Sequence, residues 1–149
     1  MKKSKGFTLI ELMVVIVILG ILAAVIAPRI PQFVNKAKEG KTKGNLANLR
    51  STLNIYYSDN DGIYPGDLAT PLACLSPKYI KAIPDAEMPP IHAKSNAVEA
   101  DGADDPDAIS AADAGGWIYE YMRTEGNWGD LGVNCGLHTD SSGEYWTTY

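Results

Sequence analysis

The pattern of apolar positions begins with one long stretch that predicts a membrane-inserting helix. From Phe7 to Ala27 the chain runs for 21 residues with Glu11 as its only charged side chain. At 1.5 Å per residue, such a helix spans roughly 30 Å, which is the thickness of the hydrocarbon layer of a bilayer. The run is too long for an ordinary secretory signal, and Pro28 and Arg29 follow it without a small-residue cleavage site. We therefore expect the mature protein to retain the helix.

The helical pattern continues beyond Pro31 as an amphipathic half, from Gln32 to Tyr57. Its apolar positions form two groups, the first at Ile30, Phe33, Val34 and Ala37 and the second at Leu46, Leu49, Leu53 and Tyr56. At about 100° per residue, the nine positions from Ala37 to Leu46 turn the helix by about 180°. We interpret the second group as facing the chain's own C-terminal region and the first as facing other subunits. One slightly twisted stripe, bent at Gly40 and Gly44, is the alternative.

The region after this helix predicts a small head. The turn-forming segment Asp59 to Gly62 is typical of a helix end. The segment that follows, with Leu68, Leu72 and Leu75, is expected to pack a short helix and the Ile80 and Ile83 region over the long helix.

Three later segments have the alternation and the aromatic or β-branched residues of strands. They are Trp117–Met122, Leu131–Cys135 and Glu144–Tyr149. The predicted fold class is therefore α+β, with a long N-terminal helix packed against a small C-terminal antiparallel sheet. The aromatic side chains either cover the helix, which we favour, or form an outward ligand or adhesion patch.

The charge balance argues against a nucleic-acid-binding protein. The 149 residues carry a net charge of −5, and their bases are concentrated between Lys2 and Lys43. From Glu99 to Asp113 there are six carboxylates and no base. Carboxylates of this density could bind calcium, but the spacing does not match an EF-hand, and we favour a solvated loop. No other cofactor is predicted.

Cysteines and histidines give no recognisable site in the sequence. Cys74 and Cys135 form no Cys-x-x-Cys pair, and we find no nearby histidine at ligand spacing, which argues against a zinc or redox motif. A disulfide between them is the simplest interpretation, and two unpaired apolar side chains are the alternative. His92 and His138 are 46 positions apart without a motif around either. Catalytic motifs are also missing, so we predict that the chain is not an enzyme.

Glu11 is the one anomaly of the apolar helix, because a carboxylate within a membrane helix costs about 3 kcal/mol unless something compensates it. Two interpretations carry equal weight. The carboxylate either reaches the membrane surface or its own helix N-terminus, or it meets a cation brought by another molecule.

The segment Lys5-Gly6-Phe7-Thr8-Leu9-Ile10-Glu11, followed by the aliphatic run, resembles the processing site of type IV prepilins and type II secretion pseudopilins. The resemblance implies that a prepilin peptidase cleaves after Gly6 and that Phe7 becomes the N-methylated N-terminus. It also implies that Glu11 pairs during assembly with the Phe7 ammonium of a neighbouring subunit. Gly20 and Pro28 match positions where helices of this family lose hydrogen bonds inside the filament.

The same resemblance implies four segments. Residues 1–6 form a cleaved leader, residues 7–29 the half of the helix in the membrane or filament core, residues 30–58 the amphipathic half, and residues 59–149 the head. The leader's Lys2, Lys3 and Lys5 would be cytoplasmic.

On this basis the expected function is that of a structural subunit of a type IV pilus-like filament. The major pseudopilin of a type II secretion system is the alternative, and a membrane-anchored periplasmic enzyme or binding protein is a remote one. The implied partners are other copies of the chain, the prepilin peptidase, and an inner-membrane assembly platform with its ATPase. The implied location is the inner membrane, with the N-terminus in the cytoplasm, and then an extracellular pilus or a periplasmic pseudopilus. Gly62 to Pro65 suits the pseudopilin, and the cysteine-bearing C-terminal part suits a surface pilin.

Overall fold

The computed structural model describes residues 6–66, 69–101, 113–123 and 128–149. It divides into two compact units, residues 1–34 and residues 35–149. The leader lysines, Leu68 and the acidic residues Asp104, Asp105 and Asp107 lie outside the described residues.

The predicted N-terminal helix is present. Helix α1 comprises Leu9–Ile26, a 3₁₀ turn follows at Ala27–Arg29, and helix α2 comprises Ile30–Asp59. None of the residues of α1 is buried, and the helix is long and apolar enough to cross a membrane. The 3₁₀ turn lies at Pro28, whose ring nitrogen has no hydrogen to donate to the preceding turn.

The C-terminal unit contains two small sheets. Strands β1 (Ala86–Met88) and β2 (His92–Ser95) form an antiparallel pair. Strands β3 (Val98–Asp101), β4 (Trp117–Glu120) and β5 (Leu131–Val133) form the second sheet in that order. Strand β3 runs parallel to β4, whereas β5 runs antiparallel to it.

The core forms where the apolar face of α2 meets both sheets. Leu46, Leu49 and Leu53 are buried there, as the amphipathic pattern predicted. The large aromatics Trp117, Tyr119 and Trp146 are buried in the same core, which confirms that they cover the helix. The polar atoms of two of them are satisfied, since the Trp117 indole donates to the Pro84 carbonyl at 2.7 Å and the Tyr119 hydroxyl donates to the Pro65 carbonyl at 2.8 Å. Ile80 and Ile83 pack against this cluster, as expected.

Polar contacts also hold the C-terminal part of α2 on the head. The Arg50 guanidinium donates to the carbonyls of Leu131 and Tyr149, with its shortest contact to each at 2.7 Å. Thr42 exchanges two hydrogen bonds of 2.8 Å with the backbone of Glu87. These contacts fix both the rotation and the axial position of the helix against the sheets.

The end of α2 follows the prediction. The Gly62 amide donates to the Tyr57 carbonyl at 3.0 Å, and Gly62 has a φ of +78°. A glycine in this left-handed conformation is the common way to end a helix. The expected short helix is a single 3₁₀ turn at Ala73–Leu75.

The prediction of a third antiparallel strand over Glu144–Tyr149 was wrong. A single bridge joins Thr139 to Tyr145, and Trp146–Thr148 is a 3₁₀ helix. Residues three apart in a 3₁₀ helix lie on one side, so Trp146 and Tyr149 can both face Lys43, with its Nζ 5.6 and 3.7 Å from their ring centres. A strand would have placed these two aromatics on opposite faces.

The third strand is instead β3, which includes residues that we had assigned to a solvated loop. Val98 packs against the core, and the Glu99 carboxylate accepts a hydrogen bond of 2.6 Å from the Asn134 side chain. The high density of carboxylates in this segment obscured its alternation. The calcium hypothesis stays untested, because residues 102–112 lie outside the described residues.

Candidate assembly site

The segment that carries the predicted processing and assembly residues leads directly into the start of α1. Gly6, Phe7 and Thr8 precede the helix in non-helical conformation, and Phe7 is 79% exposed. Thr8 is the N-cap, with the extended backbone angles φ −86° and ψ 151°. The peptide bond after Gly6 is therefore exposed and lies outside the helix.

Thr8 and Glu11 form a capping box at this helix start. The Glu11 amide donates to Thr8 Oγ1 at 3.3 Å, while the Thr8 amide and hydroxyl donate to Glu11 Oε2 at 2.8 and 2.7 Å. The motif satisfies amide groups that have no partner within the helix, and it places a negative charge at the positive end of the helix dipole. Our sequence analysis missed it, although Thr-x-x-Glu before an apolar run is its signature.

The capping box bears on the anomaly of Glu11. In the single chain the carboxylate is held by its own helix N-terminus, as the first of our two interpretations supposed. All of these bonds use the one oxygen Oε2. Pairing of Glu11 with the Phe7 ammonium of a neighbouring subunit stays a prediction.

The apolar side chains of α1 are exposed and are not buried by other described residues of the chain. Its large apolar side chains are all between 44% and 77% exposed, including Leu9 at 77% and Ile10 at 68%. The exposed apolar surface continues on α2 at Ile30, Phe33 and Val34. A helix that is apolar on every face is stable only inside a membrane or a protein interior. Lipid or other protein chains must therefore surround this segment.

The two predicted helix breaks differ in the single chain. At Pro28 the α-helix changes to the 3₁₀ turn, whereas α1 continues without interruption through Gly20. A Cβ atom added at Gly20 would meet nothing within 4 Å, so packing within the chain does not require a glycine there. Loss of helix at these positions within a filament stays a prediction.

The expected disulfide is absent from the structure. Both cysteines are described, and no bond joins them. Cys74 is exposed in the 3₁₀ turn after α2, whereas Cys135 is buried two residues after the end of β5. Burial, together with a hydrogen bond to Asp113, raises the pKa of the Cys135 thiol to about 11. This thiol is therefore protonated near neutral pH, which lowers its reactivity.

Cys135 belongs instead to a cluster that the sequence analysis missed. Its sulfur and ligand atoms of His92, Asp113 and His138 all lie within 4.8 Å of one another. Our statement that neither cysteine has a nearby histidine at ligand spacing was wrong, because His138 follows Cys135 by three positions. That Cys-x-x-His spacing was the available signal. His92 and Asp113 carried none, since only the folded head brings them to the same place.

Comparison with known proteins relates the chain to filament and secretion proteins. A family model described as the prokaryotic N-terminal methylation motif matches residues 1–27. The chain is 44% identical over 59 residues to the type II secretion system core protein G of Pseudomonas aeruginosa, covering 40% of this chain and 42% of that protein. It is 37% identical over 82 residues to the fimbrial protein EcpC of Eikenella corrodens, covering 54% and 53%.

A further relative is the type IV major pilin protein PilA of Myxococcus xanthus, which is 41% identical over 59 residues, 40% of this chain and 27% of that protein. The chain thus spans about half the length, or less, of these curated relatives. No solved structure matches it. The first 27 residues therefore carry the prokaryotic N-terminal methylation motif, and the chain is related to type IV pilins and type II secretion core proteins.

Proposed function

We propose that this chain is a structural, non-enzymatic subunit of a type IV pilus-like filament that polymerises through its N-terminal helix. The observation that carries the proposal is α1, which has no buried residue, begins with the Thr8–Glu11 capping box and lies within the methylation motif. Such a helix gains free energy at about 25 cal/mol for each Å² of apolar surface that neighbouring helices or lipid cover. The relatives are a pilin, a fimbrial protein and secretion core proteins.

Processing would precede assembly. A prepilin peptidase would cleave after Gly6 on the cytoplasmic side of the inner membrane, and the new amino group of Phe7 would be methylated. The exposed, non-helical Gly6 to Thr8 segment supports this step, because a protease needs an extended peptide that it can reach. Residues 1–6 would be the leader, and an assembly platform with its ATPase would then extract the mature chain from the membrane.

In the filament, the Phe7 ammonium of one subunit would pair with Glu11 of another. A charge pair surrounded by apolar side chains attracts strongly, and leaving one partner alone there is costly, so this pair would select the register between subunits. Before assembly, the Thr8 amide and hydroxyl would stabilise the Glu11 carboxylate by donating hydrogen bonds to it. The Phe7 ammonium of another subunit would take over this role in the filament.

A major pseudopilin in a type II secretion system is the second candidate. The matches to core protein G of P. aeruginosa and of Vibrio cholerae, the latter 43% identical over 65 residues, favour it. The fimbrial match favours the pilus, because it extends over 82 residues. A disulfide would have supported a surface location, and its absence removes that argument. We retain the pilus as the first proposal.

The N-terminus and location of the protein test both proposals. Sheared surface material and membranes of the producing cell would be analysed by intact and peptide mass spectrometry. A chain that begins at methylated Phe7 in the sheared fraction supports the pilus, and the same terminus found only in membranes supports the pseudopilus. A chain that still begins at Met1 in both fractions contradicts the proposed processing.

A further inference from the structure

Four side chains with metal-binding atoms converge at one end of the head. His92 begins β2, Asp113 precedes β4, and Cys135 and His138 follow β5. Asp113 Oδ1 lies 3.1 Å from His92 Nε2 and 3.3 Å from His138 Nδ1. The Cys135 sulfur is 3.8 Å from His138 Nδ1.

These separations fit a tetrahedral metal centre. Zinc bonds are about 2.0 to 2.2 Å long to nitrogen and oxygen and about 2.3 Å to sulfur, which places neighbouring ligand atoms about 3.3 to 3.7 Å apart. The distances of 3.1, 3.3 and 3.8 Å lie close to this range, and the widest separation in the cluster is no more than 4.8 Å. Small side-chain adjustments would therefore bring all four atoms to bonding distance of one ion.

The surroundings hold the four residues in place. The segment before β4 and the segment after β5 are tied by hydrogen bonds from the Gly115 amide to the Asn134 carbonyl at 3.0 Å and from the Asn134 amide to the Gly116 carbonyl at 3.1 Å. Gly115 has a φ of +77°, and a Cβ there would lie 3.1 Å from the Cβ of His92. Only glycine allows the β2 histidine to approach the turn this closely.

Burial favours a closed site. Cys135 is 1% exposed, and the side chains of His92 and Asp113 are 14% and 17% exposed. The His138 side chain is more open at 38%, which leaves one side through which an ion can enter. Four protein ligands around one position are typical of a structural metal centre, whereas a catalytic centre keeps one position for water.

The donor atoms decide the class of metal. Two imidazole nitrogens, one sulfur and one carboxylate suit zinc and similar divalent transition metals. Calcium takes six to eight oxygen ligands, so this cluster does not suit it.

We propose that His92, Asp113, Cys135 and His138 bind one zinc-class divalent ion, which joins the β1–β2 pair to the segments that flank β4 and β5. The ion would thus link distant segments of a small head that no disulfide joins among its described residues.

Metal titration of the full-length protein tests this proposal. The chain, purified in detergent and freed of metal with a chelator, would be titrated with Zn²⁺ alone and with Co²⁺ alone. We expect one bound zinc per chain by elemental analysis, and an absorption spectrum of tetrahedral cobalt with a sulfur-to-cobalt charge-transfer band. Zinc at about 100 times its Kd should raise the Tm of the head by about 10 °C.

The two cysteines provide a matched pair of variants. Cys135→Ser should abolish the sulfur-to-cobalt band, whereas Cys74→Ser should leave it unchanged. His138→Asn replaces the most exposed ligand and should lower zinc affinity by more than the about 10- to 100-fold that outer-shell partners contribute. Asp130→Asn is the control for charge, because Asp130 is exposed and outside the cluster.

Three results on the wild-type chain alone would overturn the proposal. They are the lack of stoichiometric zinc, the lack of a sulfur-to-cobalt band, and an equal Tm with and without zinc. Equal zinc binding by the wild type, Cys135→Ser and His138→Asn would also contradict it, because the ion would then be bound elsewhere.

Discussion

Lys43 on α2 and Asp140 near the C-terminus form an ion pair, with Nζ 2.5 Å from Oδ2. The Asp140 side chain is 1% exposed, and it also accepts hydrogen bonds from the Tyr149 hydroxyl and from the amides of Ser142 and Glu144. Burial alone would raise the pKa of Asp140, but these donors and the Lys43 ammonium outweigh it and hold the pKa well below its ordinary value. The pair therefore fastens the C-terminal segment to the long helix.

Asp140→Asn should destabilise the head by about 2 kcal/mol, because it removes the charge while Lys43 stays partly buried and loses its partner. Urea unfolding followed by tryptophan fluorescence would measure the change, since all three tryptophans lie in the head. Asp130→Asn changes an exposed carboxylate and should stay within about 0.5 kcal/mol of the wild type. Equal stability of the two variants would show that the pair contributes nothing.

The same pair predicts a dependence of stability on pH. The pKa of Asp140 is lower in the folded than in the unfolded protein, where it is about 3.9. Its contribution is therefore fully present above the unfolded pKa and is lost as the pH falls through the folded pKa. The free energy of unfolding of the wild type should decrease between about pH 5 and pH 2, and that of Asp140→Asn should decrease less. Parallel curves for the two proteins would contradict this assignment.

The helical part of the fold was predictable because its signals are local. The uniformly apolar run before Pro28 and the spacing of Leu46, Leu49 and Leu53 depend only on the period of one helix, and the structure places each where that period predicts. The capping box is also a local signal, because Thr8 and Glu11 lie three positions apart. It could therefore have been predicted from the sequence in the same way.

The head was predicted less well because its pairing is not local. Val98 joins Trp117 in parallel register across a segment rich in carboxylates, and no repeat within either strand predicts that pairing. Trp146 and Tyr149 were assigned to a strand from their type, but the 3₁₀ helix lets both pack beside Lys43. Likewise, tertiary contacts alone bring His92 and Asp113 to the Cys135-x-x-His138 pair.

Gly6→Val should leave uncleaved precursor in the membrane. A branched side chain replaces the small residue that the processing site presents to the peptidase, while the helix start at Thr8 is unchanged. Immunoblots of membranes would show the longer form, and mass spectrometry would find the chain beginning at Met1. Efficient maturation of this variant would contradict cleavage after Gly6.

Glu11→Ala should allow insertion and cleavage but strongly reduce the yield of filaments. Thr8→Ala serves as its matched control, because both changes break the capping box, at a cost of about 1 kcal/mol, and only the first removes the carboxylate. The ratio of sheared filament to processed membrane protein measures the effect. If the carboxylate acts between subunits, Thr8→Ala should retain more filaments than Glu11→Ala. Equal loss in both variants would assign Glu11 to the helix start alone.

Gly20→Ala tests whether α1 must lose helical structure during assembly. Nothing lies within 4 Å of the added methyl group, and alanine favours a helix over glycine by about 1 kcal/mol, so insertion and cleavage should stay normal. If the helix opens at Gly20 in the filament, this added helical stability should lower the filament yield. Gly40→Ala adds the same methyl group to an equally open position on α2, which is continuous through Gly40, and should leave the yield unchanged. Normal filaments from both variants would mean that α1 stays helical at Gly20 after assembly, as it is in the single chain.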